Sequence, residues 1–415
     1  MFSTFANAWK VKDIRKKILY VALVLFIFRI GSFIPVPGLD IDILRQEMVG
    51  DFGVIGMLVG GELGTIFGMG IGPYITASII MQLLTVAVPS LERMKKEGAE
   101  GRKKIDAITR YLAVGMAAFQ AIGMTFSWRS MFVHQNIFVY AVSVLTMMAG
   151  TMFILWLAEF LTVKGFGQGT SFIIFANILS ALPGGVITLY NASLGSVWNA
   201  ISVIIIILSI AFIVAFVVLM NEGQRKLPVQ YSKKMVGRQM FGGQSSFIPI
   251  KVSVGGVLPL IFAMSILGVF GQALMFFPDS EWLANASAFF NMSSWTGAPI
   301  YIVLIFAFTF FYASFSINTN EMAENLKKNG GFIPGIRPGK PTSDYIQRTV
   351  SRMSWIGASF LAAIAMIPIA LEWIFGIPVG FGGTSAIIVV SVALKIIKDL
   401  EAQLLMRNYK GFLSN

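Results

Sequence analysis

"GFGQGTSFII", Gly165 to Ile174, is written almost unchanged a second time as "GFGGTSAII", Gly380 to Ile388. Each copy is a glycine-rich turn, then Thr-Ser, then an apolar run. That is the grammar of a helix start, where glycine permits the turn and a hydroxyl caps the first free backbone N–H groups. The pair is either a commonplace helix opening used twice or the mark of an internal repeat. What separates the readings is the number and direction of the chain crossings between the copies.

Those crossings are membrane crossings. The 415 residues are 56% hydrophobic and only 13% charged, with a mean hydropathy of +0.76, far outside the balance of water-soluble domains. With no cysteine there is no disulfide framework, thiolate metal site or cysteine nucleophile, and a lone His134 leaves almost nothing for a histidine metal site. No cofactor or metal is expected. Apolar segments of bilayer length, about 20 residues each, begin near Ile18, Ile71, Tyr111, Ile137, Thr170, Val197, Val252, Pro299, Met353 and Thr384, which makes ten spans. Lys10, Lys12, Arg15, Lys16 and Lys17 precede the first, and no small-residue cleavage site follows it, so it reads as a retained anchor.

Lys and Arg close to a crossing stay on the cytoplasmic side. The basic residues cluster at 91–110, at 221–252 and at 320–352, and these loops alternate with acidic ones holding Asp40, Asp42, Glu47, Asp51, Glu62, Asp279 and Glu281. Together with the N-terminus, Lys164 and the C-terminal tail, 29 of the 32 basic residues, all but Arg29, Arg45 and Arg129, fall on one face. Both termini are then cytoplasmic.

The two copies of the motif are separated by the spans beginning at Thr170, Val197, Val252, Pro299 and Met353, an odd number, so the second copy runs the opposite way. The expected class is an all-α polytopic membrane protein of two inverted five-helix halves, 1–195 with spans one to five and 196–415 with spans six to ten.

Inverted halves suit carriers and channels alike, and a carrier keeps ionisable groups at the middle of the bilayer. The candidates are Arg29, Glu159 and Glu372, and each lies toward a span end, where a long side chain reaches the interface. No acid pair or acid-histidine relay appears. Enzymatic signatures are missing too: there is no HExxH or GxSxG, and "GIRPGK", Gly335 to Lys340, lacks the spacing of a phosphate-binding loop. The chain is not expected to be an enzyme.

Between the first two spans lies "FGVIGMLVGGELGTIFGMGIGPY", Phe52 to Tyr74, interrupted by eight glycines from Gly53 to Gly72. An ordinary full span here would reverse every later charge assignment. The segment reads as a half-helix at about 52–70 that enters and turns back, or as an apolar outer loop resting on the bundle. Irregular backbone at membrane depth persists only where protein covers it or it lines a water-filled cavity.

Several stretches together resemble the SecY family of bacterial protein-translocation channels: "FRIGSFIPVPG" (Phe28 to Gly38), "PYITASIIMQLLTV" (Pro73 to Val86), "KKEGAEGRKK" (Lys95 to Lys104), "EGQRKLPVQY" (Glu222 to Tyr231), "NLKKNGGFIPGIRPGKPT" (Asn325 to Thr342) and "FGGTS" (Phe381 to Ser385). The resemblance implies a central pore with a plug at the half-helix, including Phe52, Ile55, Leu58, Glu62, Ile66 and Phe67. It implies a constricting ring of Ile71, Ile75, Thr170, Ile174, Ile261 and Ile388, with Thr170 standing where the family places an aliphatic residue. It also implies a lateral gate between spans two and three and spans seven and eight, where Thr76, Gln82 and Ser265 are polar. Lys233, Lys234, Arg238, Arg337 and Lys340 correspond to a docking face for the ribosome, through its rRNA, and for the SecA motor ATPase. SecE and SecG small subunits, signal sequences, nascent polypeptides and membrane lipid complete the partners so implied, in the bacterial inner membrane. A secondary transporter of small solutes is the alternative function.

Overall fold

The computed structural model describes residues 9–40, 64–165, 167–194, 197–231, 234–236, 239–241, 245–277, 279–376 and 383–412. They are mostly helical. The helices are α1 Lys12–Gly31, α2 Gly72–Ala87, α3 Pro89–Lys96, α4 Ala99–Ser127, α5 Ile137–Lys164, α6 Gly169–Ser193 and α7 Val197–Glu222. After a β-hairpin come α8 Leu258–Leu267, α9 Val269–Leu274, α10 Glu281–Phe289, α11 Gly297–Ser316, α12 Thr319–Lys328, α13 Lys340–Phe375 and α14 Gly383–Phe412. The strands are β1 Gln224–Tyr231, β2 Lys234–Val236, β3 Gln239–Phe241, β4 Ser245–Lys251 and β5 Gly331–Phe332.

Among the described residues, six helices are long and apolar enough to cross a bilayer, and a seventh crossing results if α2 and α3, bent by 98°, count as one. The bend has a local cause. Val88 precedes Pro89, and the proline ring pushes the residue before it out of the helical region, here to φ −108° and ψ 112°. Two expectations need correction. The seventh span starts at Leu258 rather than near Val252, and it is broken into α8 and α9 at Gly268. The last residues of the expected half-helix, Gly64 to Gly70, form turns and an isolated bridge from Thr65 to Pro35 rather than regular helix. Five short strands were also not expected of an all-α chain. They lie in the basic loops, where "QRKLPVQY" alternates, turning Leu227 and Val229 inward and leaving Lys226, Pro228 and Gln230 exposed.

Two compact units result. The first comprises Met1–Val203, Gly268–Ala288 and Pro378–Asn415; the second comprises Ile204–Leu267 and Phe289–Ile377. In the first, Val24 and Phe28 of α1, Phe67 and Ile71 ahead of α2, Ile154 and Leu161 of α5, Phe172 and Ile173 of α6 and Leu400 of α14 share one core. In the second, a three-stranded antiparallel sheet of order β4-β1-β5 buries Leu227, Val229 and Ile250 against Leu326 of α12 and Ile346 and Val350 of α13.

Candidate functional site

The repeated motif becomes intelligible in the first unit, where α6 and α14, the helices that the two copies open, pack against each other. Lys395, well along α14, donates from Nζ to Gln168 Oε1 at the start of α6 at 3.2 Å. The glycines of the first copy answer to space as much as to turning. A Cβ on Gly169 would overlap the Ala158 carbonyl of α5, and the Gly169 N–H donates to Thr162 Oγ1 at 2.9 Å. Gly167 holds φ +73°, and a Cβ there would stand 2.9 Å from the Asp399 carboxylate of α14. A side chain at Gly169 would push α6 off α5, and one at Gly167 would crowd Asp399 of α14.

Of the six ring positions, Ile71 is the N-cap residue of α2 and is 4% exposed, as is Ile388 in α14. Ile75 and the two α6 residues Thr170 and Ile174 are half-buried, and Ile75 packs against the same core as Ile71. Ile261, also half-buried, belongs to α8 in the second unit.

Ahead of α2 the chain is fastened down. Val36 donates to the Gly64 carbonyl and Ile66 to the Ile34 carbonyl, each at 2.9 Å. Phe67 stacks between Phe28 of α1 and Phe153 of α5, with centroids 6.0 Å away on each side. The fit depends on two bare positions: a Cβ on Gly31 would enter the Phe67 ring, and one on Gly150 would overlap the Ile66 carbonyl. Phe52, Ile55, Leu58 and Glu62 lie outside the described residues.

The polar residues expected at the seam satisfy themselves within their own helices. Thr76 donates to the Gly72 carbonyl at 3.2 Å, Gln82 to Ser78 Oγ at 3.3 Å, and Ser265 to the Ile261 carbonyl at 2.8 Å. The contact between the third span and the seventh is aromatic instead. Phe276, just past α9, stacks on Phe119 of α4 at 4.5 Å, and its ring lies 2.8 Å from where a Cβ on Gly123 would be.

In the second unit the two large basic loops join, because β5 pairs with β1 through Gln230 opposite Phe332 and Tyr231 opposite Gly331. Lys226 Nζ sits 4.8 Å from the centre of the Phe247 ring. Arg337 and Lys340 are both exposed, the first in the turn between β5 and α13 and the second as the opening residue of α13. Lys234 lies in β2, whereas Lys233 and Arg238 lie outside the described residues.

A glycine-fastened segment ahead of the second span, isoleucines at several helix faces and joined basic loops form one pattern, and the family model described as SecY matches it over residues 65–397. The chain belongs to the SecY family. It is 40% identical over 435 residues to the protein translocase subunit SecY of Halalkalibacterium halodurans, with all of both chains covered. Against the subunit of the same description from Staphylococcus aureus it is 39% identical over 428 residues, covering 99% of each. Its fold is also that of solved structures of lower identity. One described as a protein-conducting channel superposes with a TM-score of 0.65 at 19% identity, covering 94% of this chain and 92% of that one. Another, Sec61 of a canine ribosome-channel complex, gives 0.61 at 18% identity, covering 94% and 92%.

For a SecY-family chain, the charges that a carrier would need are accounted for near span ends. Arg29 lies over the Phe33 ring at 4.6 Å, Glu159 pairs with Arg110 at 2.7 Å, and Glu372 accepts from Ser293 Oγ at 3.3 Å. No group of three or more metal-ligating side chains occurs among the described residues. Sequence reasoning missed Gly31, Gly123, Gly150 and Phe276. The only signal was a glycine inside an apolar helix, which is unfavourable there unless something needs its space.

Proposed function

We propose that this chain forms the pore of a protein-conducting channel, passing unfolded secretory polypeptides across the bacterial plasma membrane and releasing hydrophobic segments sideways into lipid. The seating of Gly64 to Ile71 carries the reading. Backbone that is neither helix nor barrel survives in a membrane only when covered by protein or lining a cavity, and here two glycines and a three-ring stack hold it at the head of the second span. Such a seat suits a stopper, the segment at about 52–70, that rests in a pore. Ile71, Ile75, Ile174, Ile261 and Ile388, with Thr170, form the constriction. Branched aliphatic side chains exclude water and ions at rest and yield to a passing chain of any sequence.

The halves, 1–195 and 196–415, move apart along the seam of spans two and three against spans seven and eight, and signal sequences enter there. Both termini and the basic loops are cytoplasmic, following the distribution of Lys and Arg. The joined loops dock the ribosome through rRNA phosphates and dock the SecA motor through Arg337 and Lys340. SecE and SecG brace the assembly. The channel performs no chemistry of its own, and the motor or the ribosome supplies the energy.

The deciding experiment places a photoreactive residue at Ile174 or Ile388 and arrests a secretory chain in transit. Crosslinks from both positions to the nascent chain are expected. Saturable uptake of a small solute by the purified chain, without such crosslinks, would establish the carrier instead.

A further inference from the structure

The turn that carries Arg337 is held by its neighbours rather than by itself. Gly335 and Gly339 take φ of +80° and +102°, with open space at both Cβ positions, so they are glycines for backbone conformation alone. Pro338 and Pro341 offer no N–H, which leaves the turn few bonds of its own. Ile336 N–H closes onto the Ile333 carbonyl at 3.0 Å, and Ile333 is anchored in the core under the sheet. The Arg337 carbonyl is taken by a side chain: Thr342 Oγ1 donates to it at 2.8 Å. Thr342 is 2% exposed, while Arg337 is exposed and its guanidinium makes no hydrogen bond or ion pair among the described residues.

The next residue ties the same helix start to α12. Ser343 Oγ donates to Asn320 Oδ1 at 2.7 Å and approaches Thr319 Oγ1 at 3.3 Å, and Thr319 in turn donates to Gln347 Oε1 at 3.3 Å. From Lys340 the helix runs for 36 residues to Phe375. Arg337 therefore sits three residues ahead of a membrane-spanning helix, with its main chain pinned and its guanidinium open. Pinning the main chain narrows where the side chain can reach, and an arginine's planar fork of donors matches a carboxylate better than the point charge of a lysine does.

We infer that Thr342 is the positioning residue of this docking turn: its hydroxyl, by holding the Arg337 carbonyl, fixes the direction in which the guanidinium meets an acidic surface of the motor. The inference rests on the proposed role of Arg337 in motor docking. A neutral hydrogen bond of this kind is worth a change of about 2- to 10-fold in an equilibrium.

The test uses the assembled channel in proteoliposomes, with the motor titrated and preprotein import scored per folded channel. Thr342→Val should raise the half-saturating motor concentration about 2- to 10-fold, with the maximal rate kept. Thr342→Ser, which retains the hydroxyl, should restore it. Ser343→Ala removes a neighbouring hydroxyl that does not touch Arg337 and should shift half-saturation less. If Arg337→Glu weakens the motor response while Thr342→Val matches wild type, the positioning role is refuted. Equal shifts in the valine, serine and Ser343→Ala variants would reduce Thr342 to ordinary packing and refute it as well. If Arg337→Glu is itself silent, the docking assignment beneath it fails instead.

Discussion

A Cβ on Gly31 would fall inside the ring of Phe67, so the last turn of α1 is notched to receive an aromatic side chain from beyond a loop. Phe28, three residues earlier on the same helix, lies parallel to that ring within 6°. Four residues after Phe67 comes Ile71, which caps α2 and belongs to the same core. The notch thereby sets where the second span begins and where its first two isoleucines stand.

Gly31→Ala should consequently act at a distance. Filling the notch forces Phe67 out of its stack, an overpacking worth about 1–3 kcal/mol. Thermal unfolding in detergent should show a lowered Tm, and planar-bilayer recordings should show resting ion leak as Ile71 shifts. A normal Tm with a silent channel would contradict the seat.

The ring is tested with Ile174→Ser and Ile388→Ser, measuring single-channel conductance and folded yield together. Hydroxyls in the constriction should keep it wet, so ions leak while yield holds. An ordinary core site predicts the reverse: a cavity costing about 2–5 kcal/mol, lower yield and no conductance.

Phe276→Ala removes the stack on Phe119 that joins the end of the seventh span to the third. An aromatic pair contributes about 0.5–1.5 kcal/mol beyond its buried area, so the seam should open more readily. Export of a reporter with a shortened hydrophobic signal is expected to rise severalfold. Export that stays as stringent as in the wild type would place the gate's closing energy elsewhere.

Ile346 is fully buried beneath the sheet formed by the basic loops. Ile346→Ala should cost about 2–5 kcal/mol and loosen that module alone. Limited proteolysis should cut between Gln224 and Lys251 faster, and motor-driven import should fall, with the ion seal intact. An unchanged cleavage rate would mean that the hairpin is held by something other than this core.

The membrane class and the starts of most of the apolar helices were legible in the linear sequence. A bilayer constrains each segment separately, by apolar length and by which loop keeps its lysines, and such terms need no knowledge of neighbours. The basic loops were legible as charge but not as a sheet, since β1 finds its partners in β4 and in β5, a hundred residues away in the chain. The ring, gate and docking positions were named only through family resemblance, because an isoleucine facing a pore and one facing a helix look alike in sequence.

What the tertiary structure alone decided is which glycines are notches and which hydroxyls are props. Gly31, Gly123, Gly150 and Gly169 each leave room for an atom from another segment, whereas Gly335 and Gly339 have open space around them and serve the backbone. In sequence the two kinds are the same letter. Thr342 likewise reads as one more residue at a helix start until its hydroxyl is seen on the Arg337 carbonyl. Close packing is a property of pairs of surfaces brought together by the whole fold, and one-dimensional patterns record only the half that each segment contributes.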